Sequence, residues 1–544
     1  MPQEAGASKL TGHGPTDKER RYDRQLRLWA ASGQAALETA NVLLVNASSG
    51  TVGVEVLKNL VLPGLFPARI GKFVIADEAI VRDEDLGVNF FLDEDCLGKP
   101  RALCCVNRLV ELNPEVSGDW YPKEDVSSLE QRPAPLDLDM ITASSGPFTI
   151  IAYTLPLHQD RVCFLETYAR QQNIPLLSVC NVGYYSYFTL KLPGDLPIVD
   201  THPDGDATAD LRLLDPWPEL SKFSREMTQD IDNLDDHDHG HLPLVVILLH
   251  YLEKWKSLHS DALPLSYSDK VAFRSFVADG ARRDNPEGGE ENFEEAVSAV
   301  MKHVNPSSLP RFLEQVFDYI EVTEVSPSSP VFHYCYSEAV RQFYQKHSQL
   351  PLQGGVPDMK AQSSTYMKLQ SLYKAKARQD ISDIVDIVRT LKGGGRIARG
   401  DVELFCKNAK FIKLVRSSED LKNDELSAVA GPEMPTSLIH IYLALRASFI
   451  APTESAEEIT NVVTNSIPSL VGNQSILQAA REIVRSNRGE IHNTAAVTGG
   501  MVSQEMIKLI TRQYIPIDNT CIFDGIESRS QVLRLNLSKD HLQP

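Results

Sequence analysis

The stretch Asn46-Ala47-Ser48-Ser49-Gly50-Thr51-Val52-Gly53 has residue types at a spacing that could hold phosphate. As Ser48-x-Gly50-x-x-Gly53 it falls one glycine short of the G-x-G-x-x-G turn, whose backbone amides and following helix N-terminus hold a dinucleotide's pyrophosphate. Asp77 follows at about the distance from which a carboxylate reaches a ribose hydroxyl in such sites. The first glycine lets the backbone turn tightly, and a serine there points to a turn no longer shaped around a phosphate. A degraded nucleotide site, a working one and a plain structural turn all stay open, with the first favoured. Alone, Asp77 reads as a solvated strand end.

Three imidazoles within one short run, His237-Asp-His239-Gly-His241, have a spacing that can bind a transition metal. They sit in an acidic, irregular stretch with no cysteine nearby, so the expectation is a solvated loop and no metal site. Cys96, Cys104, Cys105, Cys163, Cys180, Cys335, Cys406 and Cys521 form no C-x-x-C pair and are too sparse for a disulfide scaffold, which implies reduced thiols in a cytoplasmic or nuclear compartment. No G-x-S-x-G elbow occurs and no cysteine makes a convincing activated nucleophile; Cys335 and Cys406 read as buried structural thiols.

These groups need elements to place them. Asn41-Val-Leu-Leu-Val45 is a continuous apolar run suited to a buried parallel strand. Beyond the turn, Val54–Leu62 is amphipathic and stops at Pro63-Gly64, and Lys72–Asp77 completes a strand, helix, strand unit. Helices at Tyr22–Trp29, Gly33–Glu38, Pro100–Leu112 and Asp160–Gln171 and strands at Phe148–Ala152 and Pro175–Val179 continue the alternation of a doubly wound parallel sheet, an α/β fold.

Composition narrows the partners. Of 544 residues 42% are hydrophobic and 23% charged, the balance of an ordinary globular protein. Lys plus Arg number 54 against 73 Asp plus Glu, and a net charge of -19 repels nucleic acid and anionic lipid over most of the surface. The polar tail at 1–20 lacks a signal peptide's apolar run, and Leu242–Leu252 falls short of the roughly 20 residues that span a bilayer. No nucleic-acid or membrane partner is expected.

Beyond residue 200 prolines and acids cluster, and from Pro243 the periodicity is mostly helical, including Asp401–Val415, Ser437–Ser448 and Ile476–Arg485. The expected domains are a tail at 1–20, a first α/β part at 21–200, a helical insert at 201–485 and a returning α/β part at 486–544. That return holds a helix, Thr494–Ile510, with Ala495, Ala496, Gly499 and Gly500 small enough for close approach, and strands Cys521–Phe523 and Val532–Leu537. Within the insert, Tyr366, Leu369, Leu372 and Tyr373 form one apolar helix face, and Leu350–Met359, with two prolines and two glycines, suits a rigid contact loop.

Five segments carry a resemblance: Arg21-Tyr-Asp-Arg-Gln-Leu-Arg-Leu-Trp29, Glu55–Gly64, Asp85-Leu-Gly-Val-Asn-Phe-Phe91, Leu350–Met359 with the Tyr366 helix, and Gly499–Thr511. Together they resemble the activating enzymes of ubiquitin-like proteins, most closely the regulatory-subunit branch of the neddylation activating enzymes. The resemblance implies a ThiF/MoeB-like Rossmann-type adenylation fold, with the helical domain inserted where the catalytic partner carries its thioester cysteine. Active members use ATP and magnesium to adenylate the modifier's C-terminal glycine before passing it to that cysteine.

This chain departs from the active pattern. The glycine-rich turn is altered at Ser48; the D-x-D strand end reads Asp77-Glu-Ala79; the N-R-Q stretch reads Gly87-Val-Asn89; and Arg101 stands for the expected lysine. No acid occurs from Phe148 through Gln159, where active members place a magnesium-ligating aspartate, and no catalytic cysteine loop is matched. The implied role is a non-catalytic regulatory subunit that pairs with the catalytic subunit of a neddylation activating enzyme and helps hold its Nedd/Rub modifier. No cofactor is expected on this chain, with vestigial Ser48, Gly50, Gly53 and Asp77, and ATP and magnesium bind in the partner. Arg24 is the one candidate for chemistry, given in trans at the partner's ATP site, while Arg21 and Arg27 are weaker ones. Expected partner-binding residues are Asn59, Leu350, Gly354, Pro357, Asp358, Met359, Tyr366, Gln504, Glu505 and Lys508. The alternative is a free-standing nucleotide-dependent enzyme, either adenylating or oxidoreductase, using Ser48, Gly50, Gly53 and Asp77.

Overall fold

Eight strands supply the frame: β1 (Asn41–Val45), β2 (Lys72–Ala76), β3 (Ser117–Tyr121), β4 (Ile150–Thr154), β5 (Leu176–Val182), β6 (Tyr185–Lys191), β7 (Thr520–Asp524) and β8 (Arg529–Leu533). They form one sheet in the order β8-β7-β6-β5-β4-β1-β2-β3. The computed structural model of the chain describes residues 20, 22–62, 72–123, 135–200, 210–283, 289–306, 309–322, 331–397, 399–415, 436–450 and 454–535. The tail through residue 19, Arg21 and the Pro63-Gly64 stop lie outside the described residues.

The run β3-β2-β1-β4-β5 is parallel, whereas β6, β7 and β8 pair antiparallel. The expectation of a parallel sheet is therefore corrected to a mixed one. Only Gly183 and Tyr184 join β5 to β6, and Gly183 has φ +55. So short a link permits a hairpin and no parallel crossover. β3 carries Gly118, Asp119 and Trp120 and lies at the sheet's edge, which explains why its residues lack an apolar signature.

β1 reads as continuously apolar because both its faces are covered. Val42 and Leu44 join a core with Trp29, Leu57, Val502 and Met506, while Leu43 and Val45 join Ile141 and Leu165 on the other side. The two helices expected at Tyr22–Trp29 and Gly33–Glu38 are one, Asp23–Glu38. Gly33 does not break it: a Cβ there would stand 2.6 Å from Gln513 Nε2, which donates to the Trp29 carbonyl at 2.7 Å. The glycine is a point of close approach inside a continuous helix.

The chain divides into two compact units, Met1–Ile198 with Val415–Pro544, and Val199–Leu414. Residues 415–485, assigned to the insert from their helical periodicity, belong instead to the sheet unit. Helices Ile439–Ile450, Ala456–Ser466 and Gln474–Arg485 bury Ile441, Leu445, Ile459, Ala480 and Ile483 with Cys180, Val182, Tyr185 and Tyr187 of the sheet. The second unit is mostly helical and includes Pro218–Thr228, Leu244–Leu258, Tyr267–Ala278, Glu291–His303, Val331–His347 and Ser363–Thr390. The helix expected over Asp401–Val415 splits into a helix, Arg399–Cys406, and a strand, Ile412–Val415. Among the described residues, no helix is long and apolar enough to cross a membrane.

The returning helix runs His492–Thr511 and crosses the Thr51–Val61 helix at Gly499, where an added Cβ would stand 2.7 Å from Glu55 Cβ and 2.9 Å from its backbone carbon. Buried Ser186 and Thr498 hydroxyls, 2.6 Å apart, tie the helix to β6. A larger side chain at 499 has to push the two helices apart. Gly499→Val is expected to lower unfolding stability by about 1–3 kcal/mol, the usual penalty of overpacking, as read by chemical denaturation.

Candidate functional site

The turn after β1 keeps the backbone form of a phosphate turn while its interior is filled by protein. Ser48 has φ +54 and Gly50 φ +67, so the serine that replaces the first glycine sits in the left-handed region, at a cost of roughly 1–2 kcal/mol. Gly50 caps the Thr51–Val61 helix. A Cβ on Gly50 would stand 2.1 Å from Asn46 Nδ2, and one on Gly53 2.4 Å from Asn46 Oδ1. Glycines that would let a phosphate approach here make room for an asparagine. Asn46 Nδ2 donates to the Gly50 carbonyl at 3.0 Å and to Asp77 Oδ2 at 3.1 Å.

Asp77 is no solvated strand end; it is 2% exposed. Its Oδ2 accepts from Arg101 Nε at 2.8 Å as well as from Asn46, and its Oδ1 accepts from Arg101 Nη2 at 3.1 Å and the Ala79 amide at 2.9 Å. Four donors use a carboxylate's full capacity and leave none for a ribose. The Arg101 guanidinium also reaches Asp85 Oδ1 at 3.1 Å and the Ser48 carbonyl at 2.7 Å. Burial works against its charge, but the Asp77 and Asp85 carboxylates outweigh burial and hold its pKa above the ordinary arginine value. Arg101 thereby steadies the left-handed serine and occupies the space beside the turn.

Glu490 closes the helix end, a feature that sequence reasoning missed. Its Oε2 accepts from the Val52 amide at 2.7 Å, and the Gly50 amide also faces the carboxyl. The helix N-terminus, the usual seat of a phosphate, thus already faces an acid side chain. Burial pushes the Glu490 pKa up to about 7, against the pull of the two amides and Arg101. The Asn181 amide lies alongside without a hydrogen bond of normal geometry, and the buried Cys180 thiol feels the same carboxyl. No short-range signal marks Glu490, which is 438 residues from Val52 in the chain.

At the end of β4, just after Phe148–Ala152 where the resemblance implies a magnesium-ligating aspartate, Thr154 accepts from the Ala47 amide at 2.7 Å. Glu78, second in the altered D-x-D, is spent on Arg161, with contacts of 2.9 and 2.6 Å. The residues present therefore do not fit a magnesium nucleotide: a guanidinium and an asparagine fill the turn, an acid faces the phosphate end, and among the described residues no free carboxylate stands by for the metal.

The other candidates scatter. Arg24 is exposed on the Asp23–Glu38 helix and, among the described residues, forms no ion pair, while Arg27 pairs with Asp23 at 3.0 Å. Gln504 is exposed and Asn59 half-buried, but Glu505 is buried and accepts from Lys508 Nζ at 2.6 Å and the Ile517 amide at 2.9 Å. Glu505 and half-buried Lys508, both expected at the partner face, thus pair with each other. In the other unit Asp358 is exposed, Leu350, Pro357 and Tyr366 are half-buried, and Gly354 and Met359 are buried, so these last two support the loop from within. Gly354, at φ +79, lies where a Cβ would stand 2.8 Å from Ala377 Cβ.

The histidine run is a short helix, Asp236–His239, in place of the expected loop. His239 is buried on Glu290 at 2.7 Å, away from the His237 and His241 rings, which stack with centroids 4.3 Å apart while His241 Nδ1 meets the His237 carbonyl at 2.7 Å. Asp235, His237 and Asp238, all exposed, have ligand atoms within 4.8 Å of one another. Cys335 and Cys406 are buried; burial raises the first thiol's pKa and pushes the second up to about 12.

The ThiF family model matches residues 22–543. The chain is 35% identical to the NEDD8-activating enzyme E1 regulatory subunit of Gallus gallus, over 95% of this chain and 98% of that protein. It is 34% identical to that of Danio rerio, over 96% and 99%, and 31% identical to the regulatory subunit AXR1 of Arabidopsis thaliana, over 95% and 96%. A solved structure of E. coli MccB with ATP covers 32% of this chain and 48% of that one at 17% identity, with a TM-score of 0.26.

Two outcomes test the geometry. Arg101→Ala strands two buried carboxylates and is expected to cost about 3–5 kcal/mol in unfolding stability, with exposed Arg27→Ala leaving the melting midpoint unchanged. Glu490 holds its proton to about pH 7 when folded and to about 4.5 when unfolded, so its contribution is complete below pH 4.5 and fades as pH rises through 7. That contribution is on the order of 3 kcal/mol. Melting midpoints of Glu490→Gln should lack this decline, and profiles running parallel to wild type would contradict the assignment.

Proposed function

The chain belongs to the ThiF family and, within it, to the regulatory subunits of the NEDD8-activating enzyme E1, and from that premise we propose that it is the non-catalytic half of a heterodimer. Its partner, the catalytic subunit, holds ATP and magnesium and activates the NEDD8-type modifier, and this chain binds neither cofactor. The observation that carries the reading is the Arg101 guanidinium buried between Asp77, Asp85 and the Ser48 carbonyl, in the place a nucleotide would need. A free-standing nucleotide-dependent enzyme would need that space open.

Surface features of the sheet unit support a scaffold role. Leu62 is 54% exposed and Val497 47%, and these apolar side chains stand on the two helices that cross at Gly499. With Gln504, Asn59 and the open Gly500 they offer a face to the catalytic subunit, and an obligate pair of this kind buries more than ~2,000 Å². In the helical unit half-buried Pro357 and exposed Asp358 of the rigid loop serve the partner or modifier. Arg24, exposed and without an ion pair among the described residues, is free to lend a guanidinium to pyrophosphate departing in the partner's site. Reduced thiols and an acidic surface suit cytoplasm or nucleus.

ATP–pyrophosphate exchange with modifier present tests the proposal. Activity is expected only from the pair, and Arg24→Ala in an intact heterodimer should lower it by about 10- to 100-fold, the worth of a charge-assisted hydrogen bond. Exchange by this chain alone would overturn the non-catalytic reading; full activity of the Arg24→Ala pair would remove Arg24 from the chemistry.

A further inference from the structure

We infer that Arg446, Tyr442 and Tyr187 form a seat for a small tetrahedral oxyanion, phosphate or sulfate, on the sheet face turned away from the Ser48–Gly53 turn.

Strand register gathers the seat. It sets Tyr153 of β4 opposite Ser178 of β5, and Cys180, two residues on, opposite Tyr187 of β6. Side chains two apart on a strand share a face, and Tyr153 packs with Leu43 and Val45, on the side opposite Val502 and Met506. The Ile439–Ile450 helix covers this region and points Tyr442 and Arg446, one turn apart, at the same spot. The Tyr187 and Tyr442 rings meet edge to face with centroids 4.7 Å apart, and the Arg446 guanidinium carbon lies 5.9 Å from the Tyr442 ring centre.

This cluster has donors without an acceptor. Arg446 is half-buried, yet it forms no ion pair among the described residues; its one hydrogen bond runs from Nη1 to the Tyr442 hydroxyl at 3.4 Å. Its Nε and Nη2, the edge that takes two parallel bonds from an oxyanion, are unused. Burial works against its charge, and the groups that act most to hold that charge are tyrosines rather than carboxylates. Glu166, which faces Tyr153, is taken by Lys191 at 2.7 Å. Burial also raises the pKa of Tyr153 and Tyr187, so both hydroxyls keep their protons. The Tyr187 hydroxyl has no hydrogen bond among the described residues, although the residue is 3% exposed. A guanidinium in such surroundings gains most from a counter-ion. The Tyr187 and Tyr442 rings stand at 69°, so their hydroxyls approach from different directions, which suits a tetrahedral anion better than a planar carboxylate.

Inorganic phosphate and sulfate are the probes, titrated into the full chain against chloride and acetate of matched ionic strength. Thermal midpoints and calorimetry would be read for wild type, Arg446→Gln and Tyr187→Phe. Wild type should be stabilised by phosphate and sulfate, with half-saturation in the low millimolar range. Arg446→Gln should lose the response, and Tyr187→Phe, which keeps the ring, should bind about 10-fold more weakly, the worth of one hydrogen bond to a charged group. No shift beyond chloride, an equal response to acetate, or a response that Arg446→Gln retains overturns the inference. Should Arg446→Gln not fold, Tyr187→Phe decides, and unchanged affinity there overturns it. The catalytic partner is absent throughout, so the outcome is separate from that of the exchange assay.

Discussion

A guanidinium buried among two carboxylates and a carbonyl organises the sheet unit. Arg101 enters from the first turn of its own helix and links Asp77 at the end of β2, Asp85 in the segment beyond, and Ser48 in the turn after β1. Such a cluster is stable only if every charge is met, because one unpaired member in that environment costs several kcal/mol. On the reading proposed above the same condition works against a nucleotide, which would have to displace Arg101 from Asp77 and leave both without partners. An apolar patch could have blocked the site as well, but it would not have steadied a left-handed serine. Closure of the site and integrity of the fold are therefore one interaction seen from two sides.

Glu490 completes the substitution at the other end of the turn. With Asn46 under the glycines, Arg101 beside Asp77 and an acid at the helix N-terminus, three side chains fill the space that a fingerprint of this kind leaves for a dinucleotide. Because the chain passes from Glu490 into the His492–Thr511 helix, the filled turn also fixes where that helix starts, and Gly499 fixes how closely it crosses its neighbour. A face offered to a partner needs such rigidity, since surfaces that must order on binding lose affinity.

Much of this was legible in residue order where the cause is local. The apolar run of β1, the positive-φ turn at Gly50 and the helix ending near Thr511 all follow from neighbours in sequence. The departures at Ser48 and Arg101 already pointed to an altered site. Hidden were relations between distant residues: the Glu490 carboxyl on the Val52 amide, Asn46 folded under its own turn, and the assignment of residues 439–485 to the sheet unit. Helical periodicity marks a buried face without saying which core receives it. Glu505 and Lys508, three apart on one helix, were read as partner contacts, and residue order did not show that Glu505 is buried and pairs with Lys508. β3 escaped because an edge strand leaves a weak apolar signal, whereas Cys521–Phe523 and Val532–Leu537 were read as strands and only their antiparallel pairing, a relation between distant residues, stayed hidden.

The central claim, that protein side chains have taken the nucleotide's place, is tested most directly by calorimetric titration of ATP with magnesium into this chain free of its partner. The account predicts no binding heat up to millimolar nucleotide, because Arg101 stays on Asp77 and Asp85. Saturable binding at micromolar concentration, lost on Asp77→Asn, would contradict it and restore a working site at Ser48, Gly50 and Gly53.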